Sequence, residues 1–234
     1  MAKYRRIVLK LSGESLTDGK GAFNEACVNE VAQTIGELHD MGVQVAVVMG
    51  GGNIWRGRFS DKMDAVSADQ MGMLATVINA LAVQEALVRK GWKASVFTAQ
   101  EMNRFARLYT RDSALAAMEQ GEIVLLAGGT GNPFFTTDTG AALRAAELGA
   151  DAIFKGTTVD GVYDSDPRKN PDAKLIRDIS YNEAILRGLR VMDITAFTLC
   201  MERNVPGIRI FAMEPLTNIL KVAGGDDMGT DVHA

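Results

Sequence analysis

Cysteine and histidine are scarce. The chain carries only Cys27, Cys200, His39 and His233 among its 234 residues. Neither histidine stands in a Cys, His or carboxylate cluster at ligand spacing, which argues against a zinc site and against a His-based nucleophile. His39 lies near a helix end and is expected at the surface. The cysteines are far apart in helical patterns, so each is expected to be a small buried hydrophobe rather than a disulfide partner. Positive charge is not in excess either. The net charge is −4 and no Lys/Arg stripe appears, so no nucleic-acid partner is expected. Near the N-terminus the apolar run is short and broken by Lys10, too polar for a signal peptide or a membrane span. No membrane partner is expected, and the cytoplasm is the expected compartment. Internal repeats and low-complexity linkers are also missing.

What is present is an ordinary globular composition, 47% hydrophobic and 23% charged. It can fill the core of one large α/β domain. Residues 6–12 (RIVLKLS) read as a strand. Lys10 near its end is either an edge lysine pointing to water or a cation reaching for phosphate at the C-terminal edge of a sheet. An amphipathic helix follows over 24–41, then a continuous apolar strand over 43–49, as in a parallel sheet buried on both faces. Residues 61–66 read as a loop, 67–90 as a long helix, 93–98 as a strand and 111–120 as a helix. Further strands are expected over 123–127, 152–155, 175–179, 208–213 and 229–232. Further helices are expected near 182–186, 195–203 and 216–222. The pattern predicts one three-layer α/β/α sandwich over residues 1–234 with a mainly parallel central sheet.

Chemistry gathers at the ends of strands. The strand at 123–127 runs into Gly128–Gly131, Asn132-Pro133 and Thr136-Thr137-Asp138-Thr139, and then into a helix that Gly149 stops. A strand turning through glycines into a helix is a common phosphate site, because amides and the helix dipole face an anion. It is equally a common connection with no ligand. The strand at 43–49 runs into Gly50-Gly51-Gly52-Asn53, with Arg56 beyond. Three glycines suggest a close backbone approach, and an arginine beside exposed amides suits a phosphate fork, although a plain turn and a solvated Arg56 remain open. Asp69, in the first turn of the long helix, is either a cap or a ligand to sugar hydroxyls. The strand at 152–155 ends at Lys155. Two motifs fail on inspection. Gly13-x5-Gly19-Lys20-Gly21 is one residue too long for a Walker A loop and lacks its Ser/Thr. Asp164 and Asp166 lack the glycine and glutamate of a calcium loop.

If the sheet is parallel, these loops converge on one edge with Lys10, Arg56, Lys155, the Gly50–Gly52 amides and a single carboxylate, Asp138. No nucleophile–base pair is available. Cations and amides around a lone Asp suit phosphoryl transfer, where positioning and electrostatics do most of the work.

Lys10-Leu11-Ser12-Gly13, GGGN with Arg56, DQMGMLAT from Asp69, TGNPFFTTD from Thr130, and Thr157 through Asp166-Pro167 together resemble the bacterial UMP kinases. These form a branch of the amino-acid kinase family, and the resemblance spans nearly the whole chain in order. It implies transfer of a phosphoryl group from ATP, with Mg2+, to UMP in pyrimidine nucleotide biosynthesis. Lys10 and Asp138 would be catalytic, Lys10 neutralising the moving phosphoryl group and Asp138 organising the lysines. ATP would meet Lys10, Leu11, Ser12, Gly13, Gly52, Arg56, Lys155, Thr157, Tyr163 and Asp166. UMP would meet Gly51, Arg56, Asp69 and the run Thr130, Gly131, Asn132, Pro133, Phe134, Phe135, Thr136 and Thr137. The resemblance implies no protein-built metal site, magnesium being held mainly by phosphates and water. It also implies a homohexamer, GTP activation and UTP inhibition. Two departures stand out. Thr158 occupies a position where relatives often carry Lys, and the loop 18–24 only loosely matches the GTP-binding segment. A kinase for another phosphate acceptor, or a catalytically weak nucleotide sensor, would share much of this pattern.

Overall fold

The computed structural model describes residues 2–57, 63–165, 167, 169–189 and 191–234. Asp166, and Asp61 and Lys62 of the expected loop, lie outside the described residues. In chain order the elements are β1 (Arg6–Leu11), a 3₁₀ turn (Gly13–Leu16), α1 (Glu25–Asp40), β2 (Gln44–Met49) and α2 (Ala65–Arg89). Then come β3 (Ala94–Thr98), β4 (Arg107–Leu108), α3 (Arg111–Glu119), β5 (Ile123–Ala127), α4 (Thr137–Leu148) and β6 (Ala152–Thr157). The chain closes with β7 (Val162–Tyr163), β8 (Leu175–Ile176), β9 (Asp178–Ser180), α5 (Tyr181–Leu186), α6 (Ile194–Glu202), β10 (Gly207–Ala212), α7 (Asn218–Ala223) and β11 (Thr230–His233).

Nine strands form one sheet in the order β4-β3-β5-β2-β1-β6-β10-β11-β9. From β4 to β10 every pairing is parallel; β11 then runs antiparallel to β10 and carries β9 alongside it. β7 and β8 make a separate antiparallel pair. Strand alternation sorts the core into two layers. Ile7, Leu9, Leu11, Val45, Val47 and Phe154 pack with α1, α2 and α7. Val8, Ala46, Val48, Val124 and Ile153 pack with α3, α4, α5 and α6. The three-layer α/β/α expectation is the architecture found.

Five local expectations change. β1 lies in the middle of the sheet, so Lys10 is not an edge lysine. The strand expected over 175–179 breaks at Arg177, whose carbonyl takes the Asp231 N–H, and its halves serve different sheets. α4 begins at Thr137, because Thr136 Oγ1 accepts from the Asp138 and Thr139 amides; the polar run is the helix start, not a loop before it. His39 is half-buried with its Nδ1 unpartnered, not a surface group, and Cys27 is only half-buried while Cys200 is fully buried.

Candidate active site

Alternation places Lys10 on the same face of β1 as Val8, and Lys155 on the same face of β6 as Ile153, both toward α4. The two lysines are register partners on adjacent parallel strands. Asp138, in the first turn of α4, is thereby driven between them. Lys155 Nζ donates to Asp138 Oδ2, while Lys10 Nζ stands 3.1 Å from Oδ1. Lys10 meets Oδ1 as an ion pair, and an ammonium with three donors keeps protons to offer elsewhere. Burial alone would push the Asp138 carboxyl up, but the charges of Lys10 and Lys155 hold it below the usual carboxylate range. Burial, offset in part by Asp138 and reinforced by Lys10, draws the Lys155 ammonium below its ordinary value.

On the β2–β5 side a cleft of about 160 Å³ lies between α2 and the α4 entrance. Gly51, Asp69, Asn132, Phe135, Thr136 and Thr137 line it, six of the residues expected to meet the acceptor. Asp69 is not the cap of α2, which is Asp64; its carboxylate accepts from the Phe134 N–H at 2.7 Å and ties the helix to the loop. Phe134 is left-handed, with φ 72°, at that tie. Gly131 and Pro133 instead line a second cavity of about 310 Å³ behind the loop, where Gln100 Nε2 donates to the Gly131 carbonyl. Thr130 turns its hydroxyl back onto the loop, accepting from the Asn132 N–H at 3.2 Å.

The glycine triplet has more than one task. A Cβ at Gly51 would sit 2.8 Å from Ala75 Cβ and 2.9 Å from the Gly72 carbonyl, so the close approach there is to α2. Among the described residues, a Cβ at Gly52 would meet only Arg56, at 3.9 Å, so there is room there for a ligand. Arg56 pairs with Glu14 and donates from Nε to the Gly52 carbonyl. Leu11 is a core side chain whose carbonyl accepts from Gly50, so only its backbone borders the site. The Ser12 hydroxyl caps the 3₁₀ turn by accepting from Glu14 N–H.

On the other side of the lysine pair, Thr157 ends β6 and its hydroxyl donates to the Val159 carbonyl. Tyr163 on β7 hydrogen-bonds Asp160 through its hydroxyl. The strand order β5-β2-β1-β6 therefore sets the cleft on one flank, the lysine pair in the middle and the Thr157–Tyr163 loop on the other. Among the described residues no group of three His, Cys, Asp or Glu side chains converges to cage a metal ion.

Several contributors were not singled out from sequence. Asp193 caps α6 and accepts from the Thr136 and Thr139 hydroxyls, bracing the α4 entrance from far along the chain. No local pattern signals that. Glu14 sits beside Ser12-Gly13 and could have been found by adjacency. Thr76 and Asn79 are polar residues within the apolar pattern of α2, which is signal enough to ask what they hold.

The profile of the amino acid kinase family matches residues 5–211. The chain is 52% identical, over the full length of both proteins, to the uridylate kinases of Bacteroides thetaiotaomicron and Parabacteroides distasonis. The crystal structure of UMP kinase from Bacillus anthracis superposes with a TM-score of 0.95 at 35% identity, covering 98% of this chain and 96% of that one. UMP kinase from Ureaplasma parvum gives 0.92 at 35% identity, covering 99% and 100%.

Proposed function

The chain belongs to the amino acid kinase family, and we propose that it moves the γ-phosphoryl group of Mg-ATP to UMP, giving UDP and ADP in pyrimidine nucleotide biosynthesis. The observation that carries this reading is the Lys10–Asp138–Lys155 cluster, set between the Asp69-lined cleft and the Thr157–Tyr163 loop. We read residues 1–234 as one amino-acid-kinase-like unit.

In this reading a UMP phosphate oxygen attacks the γ-phosphorus, and the bond to the departing ADP oxygen breaks. A phosphate monoester has a second pKa near 6, so at neutral pH the attacking oxygen carries no proton that must be removed. A general base is unnecessary, and Asp138, held ionised by two lysines, is suited to fixing them rather than to proton transfer. Lys10 offers its unengaged protons to the phosphoryl oxygens in flight. Arg56 and the Gly51 amide receive the acceptor phosphate, Asp69 the ribose hydroxyls, and Asn132 with Phe135, Thr136 and Thr137 the nucleotide. Gly52, Ser12, Gly13, Thr157 and Tyr163 border ATP. Magnesium arrives as part of the Mg-ATP substrate, and no step is routed through a protein-held ion. We further propose a cytoplasmic homohexamer using the outer face of α2, with GTP activation and UTP inhibition as expected regulation.

The test is an ADP-release assay with Mg-ATP and UMP, CMP, AMP or GMP. Turnover with UMP far above the others is expected. Equal turnover on CMP or AMP sinks the uracil assignment, and no turnover in folded protein that binds UTP favours a sensor.

A further inference from the structure

Asn79 lies in the middle of α2 and is fully buried. An amide in that position must be matched by partners, since burying it unpaired is costly. Its Nδ2 donates to the Gly50 carbonyl at 2.7 Å and to Asn53 Oδ1 at 2.8 Å, and its Oδ1 accepts from Asn53 Nδ2 at 3.0 Å. Asn53 Nδ2 also reaches the Ala22 carbonyl at 2.7 Å, beyond the 3₁₀ turn. Gly13 packs directly on this pair. A Cβ there would lie 2.2 Å from Asn53 Oδ1, 2.7 Å from the Gly50 carbonyl and 3.0 Å from Asn79 Nδ2. One side chain thus joins the loop after β1, the loop after β2 and the helix that lines the cleft.

The same helical face divides its labour. Asp69 ties α2 to Phe134 N–H, and Thr76 Oγ1 accepts the Gly128 N–H at 2.9 Å. Both bonds hold the acceptor loop. Asn79 alone among these three holds the glycine turn, which stands beside the strand end that presents Lys10. Resting on the function proposed above, we propose that Asn79 is a positioning residue that fixes the Gly13 and Gly50–Asn53 backbone against Lys10. It acts on alignment of the reacting phosphates rather than on the hold on UMP.

Asn79→Asp tests this, because it keeps the size and the acceptor but loses both donor bonds. The expected result is a kcat lower by about tenfold to a hundredfold, the scale of a displaced reacting group. UMP should bind with unchanged stoichiometry and an equilibrium dissociation constant within about threefold of wild type, against a tenfold step per 1.4 kcal/mol. A purely structural role would instead reduce the binding stoichiometry in step with kcat. Asn53→Ala, at a half-buried position, is the second variant should Asn79→Asp fold poorly, and it should lower kcat in the same sense. Wild-type kcat in folded samples of either variant, or a loss confined to UMP affinity, overturns the proposal. Wild-type protein that phosphorylates a different acceptor refutes the UMP reading alone, and the variants are then scored on that acceptor. Wild-type protein that phosphorylates nothing refutes both.

Discussion

Arg56 and Lys10 are both cations at strand ends, yet their surroundings assign them different work. Arg56 is about half exposed and paired with an equally exposed Glu14, a contact of little intrinsic strength. A doubly charged phosphate can displace that carboxylate. Arg56→Ala should therefore raise KM for UMP about tenfold to a hundredfold, the worth of a lost charge-assisted pair, with less effect on kcat. Lys10 is mostly buried against Asp138, and its ammonium has donors beyond that ion pair, so Lys10→Ala should lower kcat by about a hundredfold or more. Steady-state kinetics with UMP varied at saturating ATP separates the two, and a shared pattern would sink the division of roles. Thr158 offers a third check. It is exposed just past β6, at the position where the resemblance to the UMP kinases leads to an expectation of Lys. Thr158→Lys should lower KM for ATP severalfold through one added phosphate contact, within the range of a single exposed charge pair. An unchanged KM for ATP would place Thr158 outside the donor site. At this scale the strand-end cations were legible in sequence because a charge inside an apolar run demands a reason. Glu14 and Asp193 were not, since their partners are set by the fold rather than by spacing.

At the scale of elements, α4 shows how a helix start carries a site. Thr136 holds the first amides of the helix while its own hydroxyl donates to Asp193, so the cap fixes the turn that presents Asp138. Thr136→Ala should cost about 1 kcal/mol of stability, as lost caps do, and lower kcat as well. Calorimetry with kinetics would show both, and a stability loss with unaltered kcat would detach the cap from catalysis. The far edge of the sheet has its own clasp. His233 on β11 bonds Asp178 on β9 at 3.0 Å. That bond, with the Ala234 carbonyl, raises the imidazole above its usual 6.5. A folded pKa above the unfolded one means the clasp contributes fully below about pH 6.5 and is lost as pH rises through the folded value. The melting-temperature gap between wild type and His233→Asn should thus be open near about pH 6 and closed by about pH 9. A gap that widens with pH would refute it. Long elements such as α1 and β2 were legible from periodicity. The two-residue strands β4 and β7 were not, and neither was the break that parts β8 from β9, because so short a pairing is decided by its partner and not by its own sequence.

Across the whole molecule, the two faces of α2 do different work. Its mean hydropathy of 1.5 over 18 residues would suit a membrane span, and less than half of that window is buried. Ala75, Val83, Ala86 and Leu87 cover the sheet, as a core helix should. Met71, Leu74, Ile78 and Val88 face outward, 39% to 54% exposed. An apolar patch of that kind on a folded protein marks an interaction surface. The hexamer proposal needs such a surface, and the exposure of Leu74 and Ile78 makes it testable without damage to the core. The double variant Leu74→Glu with Ile78→Glu should leave the chain folded but shift its mass in light scattering to a smaller assembly. Because Asp69, Thr76 and Asn79 stand on the inner side of the same helix, kcat should fall together with the mass. An unchanged mass would remove α2 from the interface. A reduced mass with full activity would leave the interface in place and show that each chain's site works without it.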